Sequence, residues 1–243
     1  NMLAGVSGID VVLLVIAADE GVMPQTREHM NILSLLDVKK GIIAVTKKDM
    51  VDDEWLDMVI TDIREYLKGS FLENADIIPV SSVTGEGLDV LVKRLDELTD
   101  DVEQKNTEGY FRLPVDRVFS ISGFGTVVTG TLISGTISEG DRVVAYPNKI
   151  ESKVRSIQVH EQPMKSAEAG QRVAVNLSGI SVDGIKRGDV VAYPGCMEPS
   201  LMIDCRLNYL KDAERPLENR DRVRVYHGTS ELLGRVVILD RFS

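Results

Sequence analysis

Thr46-Lys47-Lys48-Asp49 stands directly after the apolar run Ile42–Val45. In that order, the carboxyl end of a buried strand hands a lysine and a carboxylate to a loop. Open α/β sheets bind their ligands at that edge. An ionised Asp only accepts hydrogen bonds, so Asp49 suits a ligand edge that presents two donors side by side. The N1–H and exocyclic amine of guanine form such an edge, and adenine presents none there. Hydrogen bonds to charged groups are worth about 1.5–3 kcal/mol each, enough for Asp49 to set base identity. Lys47 would lay its aliphatic stem over the base plane while its ammonium stays in water. Taken alone, a polar tetrapeptide after a strand is more often a plain loop.

A second loop raises the weight of the first. The short apolar stretch Ile77–Val80 leads into Ser81-Ser82-Val83-Thr84-Gly85-Glu86-Gly87, which a parallel sheet would deliver to the same edge. The elements needed to position both loops are legible in order. Asp10–Ala18 is a continuous β-branched and leucine run, expected as a strand buried on both faces. Asp19-Glu20-Gly21 turns the chain, Pro24 suits a first helical position, and Met30, Leu33 and Leu36–Asp37 follow at roughly helical spacing. A helix through Trp55, Met58, Val59, Ile63 and Leu67 separates the second and third strands. A last helix carries Leu88, Leu91, Leu95 and Leu98. Strand and helix alternating three times predict a parallel, right-handed α/β unit.

The composition then changes. The polar, acidic stretch Thr99–Gly109 reads as a linker, placed at 101–109. From Tyr110 onward short β runs alternate with glycines: Leu113–Ser120, Thr126–Ile133, Asp141–Ala145, Lys153–His160, Gln171–Leu177 and Asp189–Ala192. Such a pattern predicts a sandwich or closed barrel. After Pro194-Gly195 a further β segment is expected over Leu201–Leu207, Arg222–His227 and Leu233–Leu239. The expected fold class is multi-domain: a partial parallel-sheet α/β domain over 1–100, a barrel over 110–195, and part of a second barrel over 196–243.

The chain has 243 residues and a net charge of −10, which argues against a uniformly nucleic-acid-binding surface. The charge is uneven. Residues 1–109 hold 22 acidic and 10 basic side chains, residues 110–195 hold 8 and 10, and residues 196–243 hold 8 of each. An RNA-facing surface therefore remains open on the second part. The apolar run Val11–Ala18 falls far short of the ~20 residues a spanning helix needs, so no membrane partner and a cytoplasmic location are expected. Cys196 and Cys205 have no metal-type spacing and read as reduced, buried thiols. His29, His160 and His227 have no ligand or triad partner in the sequence pattern.

Thr46-Lys47-Lys48-Asp49 resembles the Asn/Thr-Lys-x-Asp guanine-recognition motif of translational GTPases. Ser81–Gly87 is similar to their loop that gives a backbone N–H to guanine O6, including its Thr-Gly-Glu-Gly extension. Asn1-Met2-Leu3-Ala4-Gly5 and the segment Asp19–His29 also look like family sequence. Tyr110–Phe119 running into Gly123–Thr131 resembles the second domain of the elongation factor Tu group. Asp116-Arg117-Val118-Phe119, Gly130-Thr131-Leu132 and the stretch Tyr226–Glu231 before Arg235-Val236-Val237 look most like its selenocysteine-specific branch.

The resemblance implies GTP/GDP as ligand, with Thr46, Lys47, Asp49, Ser81 and Ser82 at the guanine base. It implies selenocysteinyl-tRNA and the ribosome as partners, and an mRNA hairpin bound through domains not in this sequence. It also implies an aminoacyl pocket between the G domain and the second domain, with Arg117 and Arg172 on its basic positions. A selenol ionises far more readily than a serine hydroxyl, so fixed positive charge would discriminate between them. The plainer reading makes both arginines surface ion pairs. Arg142, Lys153, Arg155, Lys186 and Arg187 are candidate contacts to tRNA phosphates, against the plainer reading that single exposed charges are simply solvated.

The sequence also departs from the family. The 243 residues contain no G-x-x-x-x-G-K-[ST] phosphate loop. No Asp-x-x-Gly magnesium motif and no hydrolysis-linked His precede Asn1, so the Mg2+ of the intact protein has no ligands here. No catalytic residue is assigned. The expectation is a piece of a translational GTPase that does not hydrolyse GTP alone. The alternatives are elongation factor Tu, the initiation factor gamma subunit, the sulfate-activating GTPase, or a non-hydrolysing tRNA- or protein-binding barrel module.

Overall fold

The computed structural model describes residues 9–35, 38–100, 102, 105–121, 123, 125–209 and 215–239. The readings made on Asn1–Ser7, Leu36–Asp37, Ser122 and Phe124 lie outside the described residues. The chain forms two compact units, residues 9–104 and the residues from Lys105 onward.

In the first unit β1 (Val11–Ala17), β2 (Lys40–Thr46) and β3 (Ile77–Pro79) run parallel in the order β1-β2-β3. Parallel neighbours need long crossovers, supplied by α1 (Pro24–Leu35) and α2 (Asp53–Leu67); α3 (Leu88–Asp100) follows β3. The central strand β2 is buried on both faces: Ile42, Ile43 and Val45 have no exposed surface. Ile42 and Ala44 pack with Ile78, Val80 and Leu91, and Leu95 and Leu98 of α3 cover that cluster. α2 starts where Asp52 accepts from the Trp55 N–H at 2.8 Å, a cap worth ~1 kcal/mol. It then buries Leu56, Val59, Ile63 and Leu67 along one stripe.

β1 departs from expectation. Val12, Leu14 and Ile16 are buried, but Leu13 and Val15 are 41% and 57% exposed. β1 pairs on one side only, and its outer face is uncovered among the described residues. Thr99 and Asp100, read as linker, form the last turn of α3.

The second unit is built from β4 (Arg112–Pro114), β5 (Arg117–Ile121), β6 (Gly125–Thr131), β7 (Thr136–Ser138), β8 (Arg142–Tyr146), β9 (Ile150–Val159), β10 (Gln162–Met164), β11 (Ser166–Glu168), β12 (Arg172–Ser178) and β13 (Val190–Ala192). The main sheet runs β4-β13-β8-β9-β12-β6-β5, with β10 on β9 and a separate β7–β11 ribbon. It closes into a barrel because β4 reaches the end of β6: Arg112 N–H donates to Ser134 O (3.2 Å) and Ile133 N–H to Arg112 O (3.0 Å). A Cβ at Gly130 would sit 2.1 Å from Pro114 O, so this crossing admits only glycine. Phe111, Leu113, Val128, Ile137, Val154, Val175 and Val191 fill the core.

The run Leu113–Ser120 is two strands rather than one. Val115 N–H bonds Asp189 O beside β13, while Asp116 N–H bonds Thr129 O on β6, so the chain changes neighbours at that step. The three-residue strands β7, β10 and β11 escaped the sequence reading because each is too short to show alternation. Farther on, β14 (Arg222–His227) and β15 (Ser230–Arg235) make a hairpin around Gly228-Thr229. The Thr229 hydroxyl donates to Val115 O at 2.6 Å, which ties the hairpin to the strand-switch point. Leu201–Leu207 is not a strand: no described segment pairs with it, and its side chains are exposed. Cys205 there is exposed and Cys196 half-buried, both free, so the expectation of two buried thiols holds for neither.

Candidate functional site

The parallel register brings the two polar loops to one edge. Val80 N–H donates to Val45 O (2.8 Å) and Lys48 N–H to Val80 O (3.2 Å), so the chain ends of β2 and β3 are bonded to each other. Thr46 closes β2, its hydroxyl 3.4 Å from Ile16 O of β1. Lys47 is left-handed, φ 58° and ψ 33°. That conformation costs an L-residue with a Cβ roughly 1–2 kcal/mol, and strain of this sort collects at functional sites. The turn sends Lys48–Met50 into a single 3-10 turn with Asp49 exposed on it.

Ser81 is fully buried and organises the second loop. Its hydroxyl donates to Asp49 Oδ1 (2.5 Å) and accepts from the N–H groups of Val83 (3.2 Å) and Thr84 (3.1 Å). The loop closes through Ser81 N–H to Glu86 O (3.0 Å) and Gly85 N–H to Ser81 O (2.9 Å). Gly87, with φ +75°, lies so near β3 that a Cβ would stand 2.3 Å from Pro79 O. Lys48 forms an ion pair with Glu86 that bridges the two loops. Ser82 is exposed on the loop. Thr46, Lys47, Asp49, Ser81 and Ser82 are thus brought to one edge. A carboxylate has about four lone-pair sites, so the Ser81 bond leaves Asp49 free to take two further donors, as the guanine edge requires.

Asp19 escaped the sequence reading, which took Asp19-Glu20-Gly21 for a plain turn. It accepts from Lys47 Nζ at 2.8 and 3.0 Å, with Glu20 at 3.4 Å. The hydrogen bond from Lys47 holds the Asp19 carboxyl below its ordinary pKa, and the same bond raises that of Lys47. A left-handed lysine whose ammonium is held by Asp19 and Glu20 of the loop after β1 presents its stem in one orientation. The only signal for Asp19 in the sequence is its place after β1.

In the second unit Arg172 pairs with Asp116, and Arg117 follows Asp116 in the chain. Arg172 forms a two-point ion pair with it, and the Thr129 hydroxyl donates to its Oδ1 at 2.6 Å. Burial raises the Asp116 carboxyl, but Arg172 and Thr129, with the nearby charge of Arg117, outweigh it and hold the pKa below the ordinary value. Arg117 is exposed and stands opposite Thr129 in the β5–β6 register. Arg172 is therefore the paired cation that the plainer reading expected. Arg117 has no ion pair within 4 Å among the described residues. Among those residues no group of three or more His, Cys, Asp or Glu side chains is arranged for a metal ion. Among the described residues no helix is long and apolar enough to cross a membrane.

This fold defines a class: a GTP-binding α/β domain of the translation-factor type followed by a translation-factor barrel. Residues 1–101 match the family described as elongation factor Tu GTP binding domain, and residues 125–192 match elongation factor Tu domain 2. The chain belongs to the elongation factor Tu-like translational GTPases. Within them it is similar to selenocysteine-specific elongation factors. It is 48% identical over 99% of its length to the selenocysteine-specific elongation factor of Desulfomicrobium baculatum, of which it covers 38%. It superposes on a bacterial selenocysteine-specific elongation factor, EF-Sec, with a TM-score of 0.86, 31% identity, and 99% and 40% coverage of the two chains. The match to translation elongation factor SelB from Methanococcus maripaludis in complex with the GTP analogue GppNHp has a TM-score of 0.80, 29% identity, and 95% and 52% coverage. The chain thus spans 38% of the length of the curated selenocysteine-specific relative from Desulfomicrobium baculatum.

Proposed function

We propose that these residues form the guanine-recognising edge and the aminoacyl-facing barrel of a cytoplasmic GTPase that binds GTP and selenocysteinyl-tRNA and delivers the tRNA to the ribosome. The observation that carries the reading is Asp49, exposed at the carboxyl edge of β2, fixed by the buried Ser81, and still able to accept two donors. Lys47 supplies the flat stem for one base face, and the Ser82 backbone N–H supplies a donor for guanine O6, that of Ser81 being bonded to Glu86 O. Arg117, with Arg172 held by Asp116, would favour a ligand carrying an ionised selenol. Phosphate binding and the Mg2+ that accompanies GTP belong to the whole protein through residues other than these, as does an mRNA hairpin. The chain alone is therefore proposed not to hydrolyse GTP. We assign residues 1–100 to the G domain, 110–195 to the second domain and 196–243 to part of a third.

Asp49→Asn tests the reading. An amide donates where the carboxylate accepts, so nucleotide preference in the whole protein should move from GTP toward xanthosine triphosphate in a competition titration. Unchanged preference removes Asp49 from base recognition.

A further inference from the structure

The outer surface of β8 and β9 carries cations that the aminoacyl site does not use. Arg142 and Lys153 are direct cross-strand partners in the antiparallel register, which puts their Cβ atoms about 4.5–5.5 Å apart. Like charges opposite one another destabilise a sheet. Neither side chain forms an ion pair among the described residues, although the same unit pairs Lys149 with Glu198 at 2.7 Å and Arg172 with Asp116. Arg142 and Lys153 border a concavity of about 390 Å³. Its two hydroxyls are already committed as donors, Ser152 to Ser178 O (2.7 Å) and Ser178 to Lys153 O (3.1 Å), so the cations supply its side-chain donors.

A third cation stands beside them. The β9–β12 register passes from Ser156↔Asn176 to Val154↔Leu177, which leaves Arg155 as the extra residue of a β-bulge. Bulges re-aim side chains and are frequent beside functional sites. Arg155 is exposed and has no ion pair within 4 Å among the described residues. One carboxylate, Glu151, also lines the concavity.

We propose that this face binds the sugar-phosphate backbone of RNA, with Arg142 and Lys153 straddling one phosphate, Arg155 taking a neighbouring one, and Glu151 limiting affinity. The site has cationic donors at fixed spacing, and its apolar lining, Val143 and Pro194, offers no aromatic face for a base to stack on, so it reads charge rather than sequence. The choice of RNA over other polyanions rests on the proposed tRNA-delivering role; the phosphate chemistry rests on the three cations.

The test is binding of a fluorescein-labelled RNA hairpin of arbitrary sequence to the 243-residue chain across a salt series, with guanosine binding measured in parallel. Each phosphate contact contributes about 0.7–0.9 to the slope of log K against log salt. Arg142→Gln with Lys153→Gln removes the contact to one phosphate and should therefore flatten that slope by about 0.8, and Arg155→Gln by a further ~0.8. Glu151→Gln should tighten binding about twofold, a change that a folding defect does not produce. Slopes unchanged in the cation variants overturn the site while leaving the guanine reading intact if guanosine still binds. Equal competition by polyglutamate of matched charge overturns the choice of RNA. No RNA binding by the unaltered chain at low salt overturns the proposal outright.

Discussion

The Ser81 hydroxyl donates to Asp49 across 32 positions of sequence while accepting two backbone N–H bonds from its own loop. One buried atom thereby sets both the shape of the β3 loop and the orientation of the carboxylate on the β2 loop. Ser81→Ala removes three hydrogen bonds that meet at one buried hydroxyl, each worth about 0.5–1.5 kcal/mol net. Urea unfolding should show a loss of about 2 kcal/mol. Guanosine affinity, followed by NMR shift perturbation, should fall about tenfold because Asp49 loses its orienting bond. Ser81→Thr keeps the hydroxyl and should recover most of the guanosine effect.

Asp19 holds Lys47 from the loop after β1, and both groups are exposed. Asp19→Asn should leave thermal stability nearly unchanged, since exposed ion pairs contribute little. It should weaken guanosine binding by a few-fold by freeing the lysine stem. At about 1 M salt, where the screening length falls to ~3 Å, the difference from the unaltered chain should shrink. A difference that persists at high salt would mean that Asp19 acts through shape rather than charge.

The two polar loops at the carboxyl edge of the sheet were legible because each follows an unbroken apolar strand, so their position could be counted from the strand ends. Asp19 was not legible, since nothing in Asp19-Glu20-Gly21 distinguishes an anchor from a turn until Lys47 adopts its left-handed backbone. β1 was over-read for a related reason: Val12 and Leu13 look alike in sequence, and only the three-dimensional neighbours decide which is buried. The barrel was readable as a class from its glycines and alternation. Its closure through Arg112 and Ser134, and the change of neighbours at Val115-Asp116, are long-range pairings with no local pattern. Leu201–Leu207 has strand composition and no strand partner in the described residues, and composition alone cannot supply a ladder.

Asp116 gives the barrel an acid-sensitive tie. Its carboxyl pKa is lowered in the folded chain, with Arg172 and Thr129 prevailing over burial. A depressed carboxyl contributes stability that is present above the unfolded pKa of about 3.9 and is lost as pH falls through the lower folded value. The unaltered chain should therefore lose stability relative to Asp116→Asn as pH falls below about 4, by under about 1 kcal/mol because solvent screens the pair. Denaturation midpoints of the two proteins from pH 7 to pH 3 check this. Parallel curves would assign the acid loss to other carboxylates.

The two arginines should not be equivalent. Arg172 is neutralised by Asp116, which accepts both of its guanidinium contacts, whereas Arg117 has no ion pair within 4 Å among the described residues. If an anionic selenolate is read electrostatically, the unpaired cation carries the discrimination and the paired one positions Asp116. In the whole protein, Arg117→Ala should erode the preference for selenocysteinyl-tRNA over seryl-tRNA by about tenfold, the worth of one charge-assisted hydrogen bond. Arg172→Ala uncovers the Asp116 carboxylate and so places a negative charge where the anion would sit. Its loss should equal or exceed that of Arg117→Ala, and Arg172→Ala combined with Asp116→Asn should recover part of it. Rescue by the second substitution is the decisive readout, because a simple surface ion pair predicts no change in discrimination for any of the three. Hydrolysis protection of each aminoacyl-tRNA, titrated against the GTP-loaded protein, measures it directly.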